Sequence, residues 1–296
     1  MINHIYERDE MAAIKELLST NSNGLSVKLF EYDINDEQGL NDVRQYLIDK
    51  IQSSKVHRKE EFDVSYYASK NQNQEFLDKL NSRIASINTP IKSKIPQFDV
   101  RRERVTEWMA QLLLEEKYNC VFHDEADKRM NIEPVAIDKH TPGVDVPGIK
   151  IVNDKMKFVI CEVKASEEKK IPCSSVQALQ DDIQKSIDNT ENRVSKEILQ
   201  YIHGIRNIKM QSDELQKILD FLRELLIDSD SALFESLLFF PILIRNNKDV
   251  IENKNVDDFN NFIVKGTVDI ENIILGFDKS INEFSNDVYS EAIVNE

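Results

Sequence analysis

The sequence predicts an α/β fold. Three observations carry that expectation. Segments with apolar residues at helical spacing alternate with short, continuous apolar runs along the 296-residue chain. Only 7 Gly and 7 Pro are present, which favours long regular elements over loops. Hydrophobic residues make up 41% and charged residues 31%, the mix of a globular chain with a substantial core rather than a disordered one.

Residues 6–20 place Met11, Ile14, Leu17 and Leu18 at helical spacing and are expected as a helix, followed by a strand over 24–34. Leu40, Val43, Leu47 and Ile51 form one stripe of a second helix over 37–53. A charged stretch then leads to a strand-like piece around 64–67. Another helix over 71–87 is stopped by Asn88-Thr89-Pro90. Residues 1–95 are therefore expected to form an N-terminal α/β accessory domain.

A different pattern begins at Asp99, which suits the cap of a helix reaching about Lys117. Val105, Trp108, Met109, Leu112 and Leu113 would face its core. Residues 119–124 read as a short strand. Residues 143–152 and 156–165 read as a hairpin turning at Asn153-Asp154, two residues suited to tight turns. From Ser174 to about Asp228 the chain is helical, with interruptions near Asn189 and over 204–212, so a helical insertion is expected around 189–232. The apolar run 237–244 is a buried strand, 262–264 and 270–277 are strand-like, and a charged tail follows. The central domain is thus drawn at 96–250, with 251–296 a C-terminal extension packed on it.

Composition narrows the function. The net charge of −15 argues against a protein that coats nucleic acid unaided. The basic residues are nevertheless clustered, at Arg101, Arg102 and Arg104, at Lys128-Arg129, and at Lys164, Lys169 and Lys170. A local basic track on an acidic body is one reading, with a partner supplying the rest of the grip; for any single cluster the plainer reading is a solvated face. The longest apolar run falls well short of the roughly 20 residues that span a bilayer. No basic-then-apolar leader opens the chain, and Cys120, Cys161 and Cys173 read as reduced thiols, so a cytoplasmic location is expected. His57, His123, His140 and His203 lack zinc spacing, and no Gly-Lys-Ser/Thr phosphate loop exists.

The most informative stretch is Phe158-Val-Ile-Cys-Glu162-Val-Lys164-Ala165. Glu162 and Lys164 leave the same face of an apolar strand, where unpartnered charges are costly. Glu-x-Lys recurs from Glu115, Glu167, Glu168 and Glu252, but in polar surroundings that read as solvated surface. A two-residue turn at Asn153-Asp154 would set Asp145 directly across from Glu162, with Cβ atoms about 4.5–5.5 Å apart. An odd-length loop would reverse the parity and separate them. Two facing carboxylates suit a hard divalent cation, Mg²⁺ or Mn²⁺. Asp145 and Glu162 would be its ligands, Lys164 would orient water or stabilise phosphorane charge, and Glu107 would add an outer carboxylate. The plainer alternatives are a structural ion pair at Glu162 and Lys164, a turn role for Asp145 and a solvent-facing Glu107.

These residues resemble the PD-(D/E)xK nuclease superfamily. Arg104-Val-Thr-Glu107-Trp-Met-Ala110 is similar to its first helix, and Gly143-Val-Asp145 and Glu162-Val-Lys164 to its second and third motifs. Residues 174–187 would be the next core helix and 237–244 the next strand. Asp145 follows Val rather than Pro, a departure from the name-giving pattern. More narrowly, Gly143-Val-Asp145-Val-Pro-Gly and Cys161-Glu162-Val-Lys164-Ala-Ser resemble the nuclease subunit of the Hachiman antiphage defence system. The resemblance implies a restriction-endonuclease-like core, a metal-dependent DNA nuclease and a helicase partner that controls it. Arg101, Arg102, Arg104, Lys169 and Lys170 would then touch DNA. A catalytically inactive regulatory subunit, an RNA-directed nuclease and an acidic adaptor remain alternatives.

Overall fold

Continuous apolar runs leave their backbone groups to be paired between strands. Here they pair into a sheet of six described strands. They are β1 (Ile14–Ser22), β2 (Leu25–Tyr32), β3 (Val146–Val152), β4 (Lys155–Ser166), β5 (Leu237–Arg245) and β6 (Asn272–Phe277), in the order β1-β2-β6-β5-β4-β3. The computed structural model describes residues 14–22, 25–32, 37–61, 95–122, 143–206, 213–227 and 235–294. The inner strands β2, β6, β5 and β4 run parallel to one another, while β1 and β3 close the two edges antiparallel. Every residue of β6 is buried, as is all of β5 except Leu238. Burial on both faces explains why these strands read as unbroken apolar runs.

Helices cover both faces. Helices α1 (Glu37–Glu61), α2 (Ile95–Tyr118) and α7 (Ile281–Val294) pack together on one side. That core layer holds Val43, Leu47, Met109, Leu113, Phe284 and Val288 against Val159, Cys161 and Val163 of β4. Helices α3 (Ser175–Ile187), α4 (Arg193–Arg206) and α5 (Asp213–Ile227) cover the other side, against Phe158 and Ile160. The short α6 (Lys248–Glu252) precedes β6 and contributes Val250 to the same layer. The alternation along β4 sends Glu162 and Lys164 toward α3 and α4, since strand side chains point to opposite faces in turn. Burying a Leu, Ile or Phe side chain stabilises by about 1.5–3 kcal/mol, so these two layers hold the sheet.

Several expectations are corrected. Residues 14–20 belong to a strand, not to a helix over 6–20. Ile14 packs in the layer of Phe30 and Tyr32, and a bulge between Glu16 and Leu18 takes up Leu17 and turns Leu18 to the opposite face, beside Leu29. The boundary expected near residue 95 does not fall at an edge of the sheet, because β2 pairs with β6. Residues 272–277, assigned to a C-terminal extension, form a strand between β5 and β2. Helix α2 begins at Ile95, upstream of the expected cap at Asp99. Pro96 lies in its first turn, where a missing N–H breaks no helical bond. Of the strand expected over 119–124, the described residues 119–122 hold a single bridge, Val121 to Ile149. Residues 262–264 are irregular, and the expected charged tail contains α7. Its Ile281, Phe284, Val288 and Tyr289 are buried at helical spacing. The expectations for 64–67, 71–87 and Lys128-Arg129 lie outside the described residues.

Candidate active site

The β3–β4 hairpin has the register on which the site depends. Val152 pairs with Lys155, and the ladder runs back to Val146 opposite Cys161. Asn153 (φ 49°) and Asp154 (φ 62°) both take left-handed conformations, as a two-residue turn of this kind requires. One step beyond the ladder, Asp145 stands across from Glu162. Its Oδ2 accepts a hydrogen bond from the Val163 backbone N–H at 2.7 Å. Pro147 is tolerated because β3 is an edge strand. Gly148 is required by packing: a Cβ there would lie 2.5 Å from the Phe122 ring.

Glu162 is 0% exposed. Its Oε1 accepts from Arg193 Nη2 at 2.8 Å and from the Ser186 hydroxyl at 3.1 Å. Its Oε2 is buried and accepts no hydrogen bond from the described residues. Burial first, and the Asp145 charge second, raise the Glu162 carboxyl to about 8, against the pull of Arg193. Asp145 is also raised, chiefly by desolvation, with Lys164, the Val163 amide and Arg193 opposing. The Asp145 charge thus disfavours ionisation of the Glu162 carboxyl it faces.

Lys164 is held by Asp182 of α3, Nζ to Oδ2 at 2.9 Å, and Lys185 takes the other oxygen at 2.9 Å. Desolvation would lower the Lys164 ammonium, yet Asp145 and Asp182 outweigh it and hold its pKa above the usual value. The Asp182 carboxyl is held low by Lys164 and Lys185 although burial opposes it. Lys164 is therefore charged and aimed.

Glu107 approaches from the other layer. Between Val105 and Leu114 every residue of α2 is buried except Glu107, which is half-buried rather than fully solvent-facing. It pairs with Arg104 at 2.9 Å, each side chain 16% exposed. Desolvation, offset by Arg104 and reinforced by Asp145, raises its carboxyl to about 8. Glu107 thus feels Asp145 from across the sheet edge. Among the described residues no three His, Cys, Asp or Glu side chains gather into a group that could hold a metal ion.

Arg104 is engaged with Glu107, Arg102 is half-buried on the same helix, and the side chain of Arg101 lies outside the described residues. Lys169 and Lys170 are exposed on the loop that follows β4. Their carbonyls are held by the Asn247 amide at 3.2 Å and Arg245 at 2.9 Å. The loop leaves the strand that carries Lys164, so these two lysines emerge beyond the site.

Sequence reading missed Asp182, Ser186 and Arg193. Ser186 falls on the buried stripe of α3 with Leu179 and Ile183, a polar residue where an apolar one is expected. Asp182 lies one turn earlier, so both meet β4 on one helix face. Arg193 opens α4 just after the interruption at Asn189, and only the folded turn directs it onto Glu162. Gly143 completes this corner: its carbonyl accepts from Arg193, and a Cβ would meet Glu197 Oε2 at 2.9 Å. No family model matches this sequence, and no curated protein is significantly similar to it.

Proposed function

We propose that the chain is a divalent-metal-dependent nuclease that hydrolyses DNA phosphodiesters, with a restriction-endonuclease-like core and a helicase partner in antiphage defence. One observation carries the reading. Asp145 faces Glu162, whose buried Oε2 has no donor among the described residues, and charged Lys164 projects from the same face.

The donor set fits such an ion. A Mg²⁺ or Mn²⁺ site commonly uses one or two carboxylates and completes its shell with water and substrate phosphate. Asp145 and Glu162 supply two hard oxygens. Glu107, tied to Arg104, would stand behind them. When bound, the cation supplies Lewis-acid polarisation of the phosphoryl group and acidifies a water.

The protein's own residues do the rest. The Val163 amide fixes the Asp145 carboxylate, and the Ser186 hydroxyl fixes that of Glu162, so both are oriented before substrate arrives. Lys164, held charged by Asp182, would stabilise negative charge developing on the phosphoryl oxygens. Lys169 and Lys170 would meet the adjoining backbone phosphates. The acidic body explains why a partner would complete the DNA track.

Purified protein with Mg²⁺ or Mn²⁺, alone and with its genomic neighbour, should degrade DNA. Glu162→Ala and Lys164→Ala should each abolish cleavage while the far-UV spectrum and melting transition persist; full activity in either variant refutes the assignment. Cleavage of RNA in preference to DNA in the same substrate panel would select the RNA-directed alternative. The Arg193 ion pair on Glu162 favours a second reading, a binding subunit without catalysis, which predicts no heat of Mn²⁺ binding from folded protein.

A further inference from the structure

Arg193 reaches Glu162 by a costly route. The turn joining α3 to α4 puts Asn189 (φ 45°), Glu191 (φ 55°) and Asn192 (φ 59°) in the left-handed region. Asn tolerates that conformation, but for Glu191 it costs about 1–2 kcal/mol. The Asn189 side chain stabilises the turn: its Oδ1 accepts from the Val194 N–H at 2.9 Å and the Ser195 N–H at 3.3 Å. The first residue of α4 is thereby carried against the sheet.

Arg193 then spends its donors on the site. Nη2 donates to Glu162 Oε1 and to the Gly143 carbonyl, while Nε donates to the Ser186 hydroxyl at 3.0 Å. The side chain remains 19% exposed. The other carboxylate oxygen, Oε2, is buried and has no donor among the described residues. Arg193 thus supplies a fixed positive charge where a divalent ion would act.

We propose that Arg193 is a built-in counter-cation that competes with divalent metal for Glu162, holding the metal affinity of the resting protein down. The inference rests on the nuclease reading above and adds to it the regulation of the same carboxylate. A divalent ion at Glu162 would meet a carboxylate already paired with the Arg193 guanidinium, so removal of the guanidinium relieves the competition. A guanidinium that merely orients Glu162 would act in the opposite sense, because its loss would weaken metal binding.

The test is Mn²⁺ titration by calorimetry of the full chain in mildly alkaline buffer, where an unpartnered carboxyl gives up its proton. Arg193→Met should bind Mn²⁺ roughly tenfold tighter than the wild type. Glu162→Gln should lose the site. The melting temperature of Arg193→Met should also rise more on adding Mn²⁺, since a ligand stabilises the state it binds more tightly. Should Arg193→Met fold poorly, Arg193→Lys keeps a charge without the fork and should show a smaller gain. Equal or weaker Mn²⁺ affinity in the Arg193 variants overturns the competition while leaving the metal site intact. Absence of Mn²⁺ binding in every protein overturns the metal reading and this inference with it.

Discussion

The Asp145 carboxylate takes the backbone hydrogen of Val163 at 2.7 Å, one residue past Glu162 on the facing strand. The bond closes the hairpin beyond its last ladder pair and keeps Asp145 turned toward β4. It also places one negative charge where both Glu162 and Glu107 feel it.

Removing that charge should therefore act on two carboxyls at once. Asp145→Asn should move the ionisation of Glu107 and of Glu162 to lower pH. Carboxyl carbon resonances followed through a pH titration would show both shifts. An unchanged Glu107 would place Asp145 farther from α2 than described.

Glu107 also predicts how stability depends on pH. Its carboxyl lies near 8 in the folded chain against 4.5 in a free side chain, chiefly through desolvation. Between those values the folded state keeps a proton that the unfolded state has released. Stability is thus fully present below about 4.5 and falls as pH climbs through 8, by at most about 1.4 kcal/mol per pH unit for one group. Glu107→Gln should flatten this decline in urea unfolding measured across the range.

Lys164 depends on Asp182 for its aim. Asp182→Asn keeps the shape of the side chain but removes the charge that holds the ammonium. Cleavage turnover should fall about 10–100-fold, as for loss of other supporting partners around a reactive site. Asp182→Glu should recover part of it, with KM little changed in either variant.

A second buried ion pair, on the strand beside β4, should weigh heavily on stability. Arg245 and Asp258 meet at 3.0 Å with side chains 0% and 1% exposed. Asp258 also accepts from the Cys173 N–H, and Arg245 donates to the Lys170 carbonyl, so the pair anchors the loop after β4. Asp258→Ala leaves the guanidinium buried alone and should cost about 3–5 kcal/mol in guanidinium chloride unfolding. Adding Arg245→Met should restore part of the loss.

Gly148 offers a steric test. Gly148→Ala forces a Cβ into the Phe122 ring and should destabilise by about 1–3 kcal/mol. Phe122→Leu in the same chain should relieve it, seen as a recovered melting temperature.

The hairpin, the buried strands and the break near Asn189 were legible because each has a local cause. Asn153-Asp154 accepts left-handed conformations, and that turn alone sets the parity that puts Asp145 across from Glu162. Other elements failed where the cause is remote. Ile14, Leu17 and Leu18 stand at helical spacing, and only pairing with β2, with a bulge at Leu17, makes them a strand. Nothing local announces that β6 lies between β5 and β2, since neighbours in a sheet are chosen by face-to-face burial of distant segments.

Local chemistry along the chain is enough to select Asp145, Glu162 and Lys164 as a set, because turn preference and strand alternation act over a few residues. The partners of those side chains are a matter of packing. Asp182, Ser186 and Arg193 reach them only when α3 and α4 settle on the sheet, and Glu107 only when α2 covers its opposite face. Hydrophobic burial draws those layers together without direction, and the polar groups it traps must then satisfy one another.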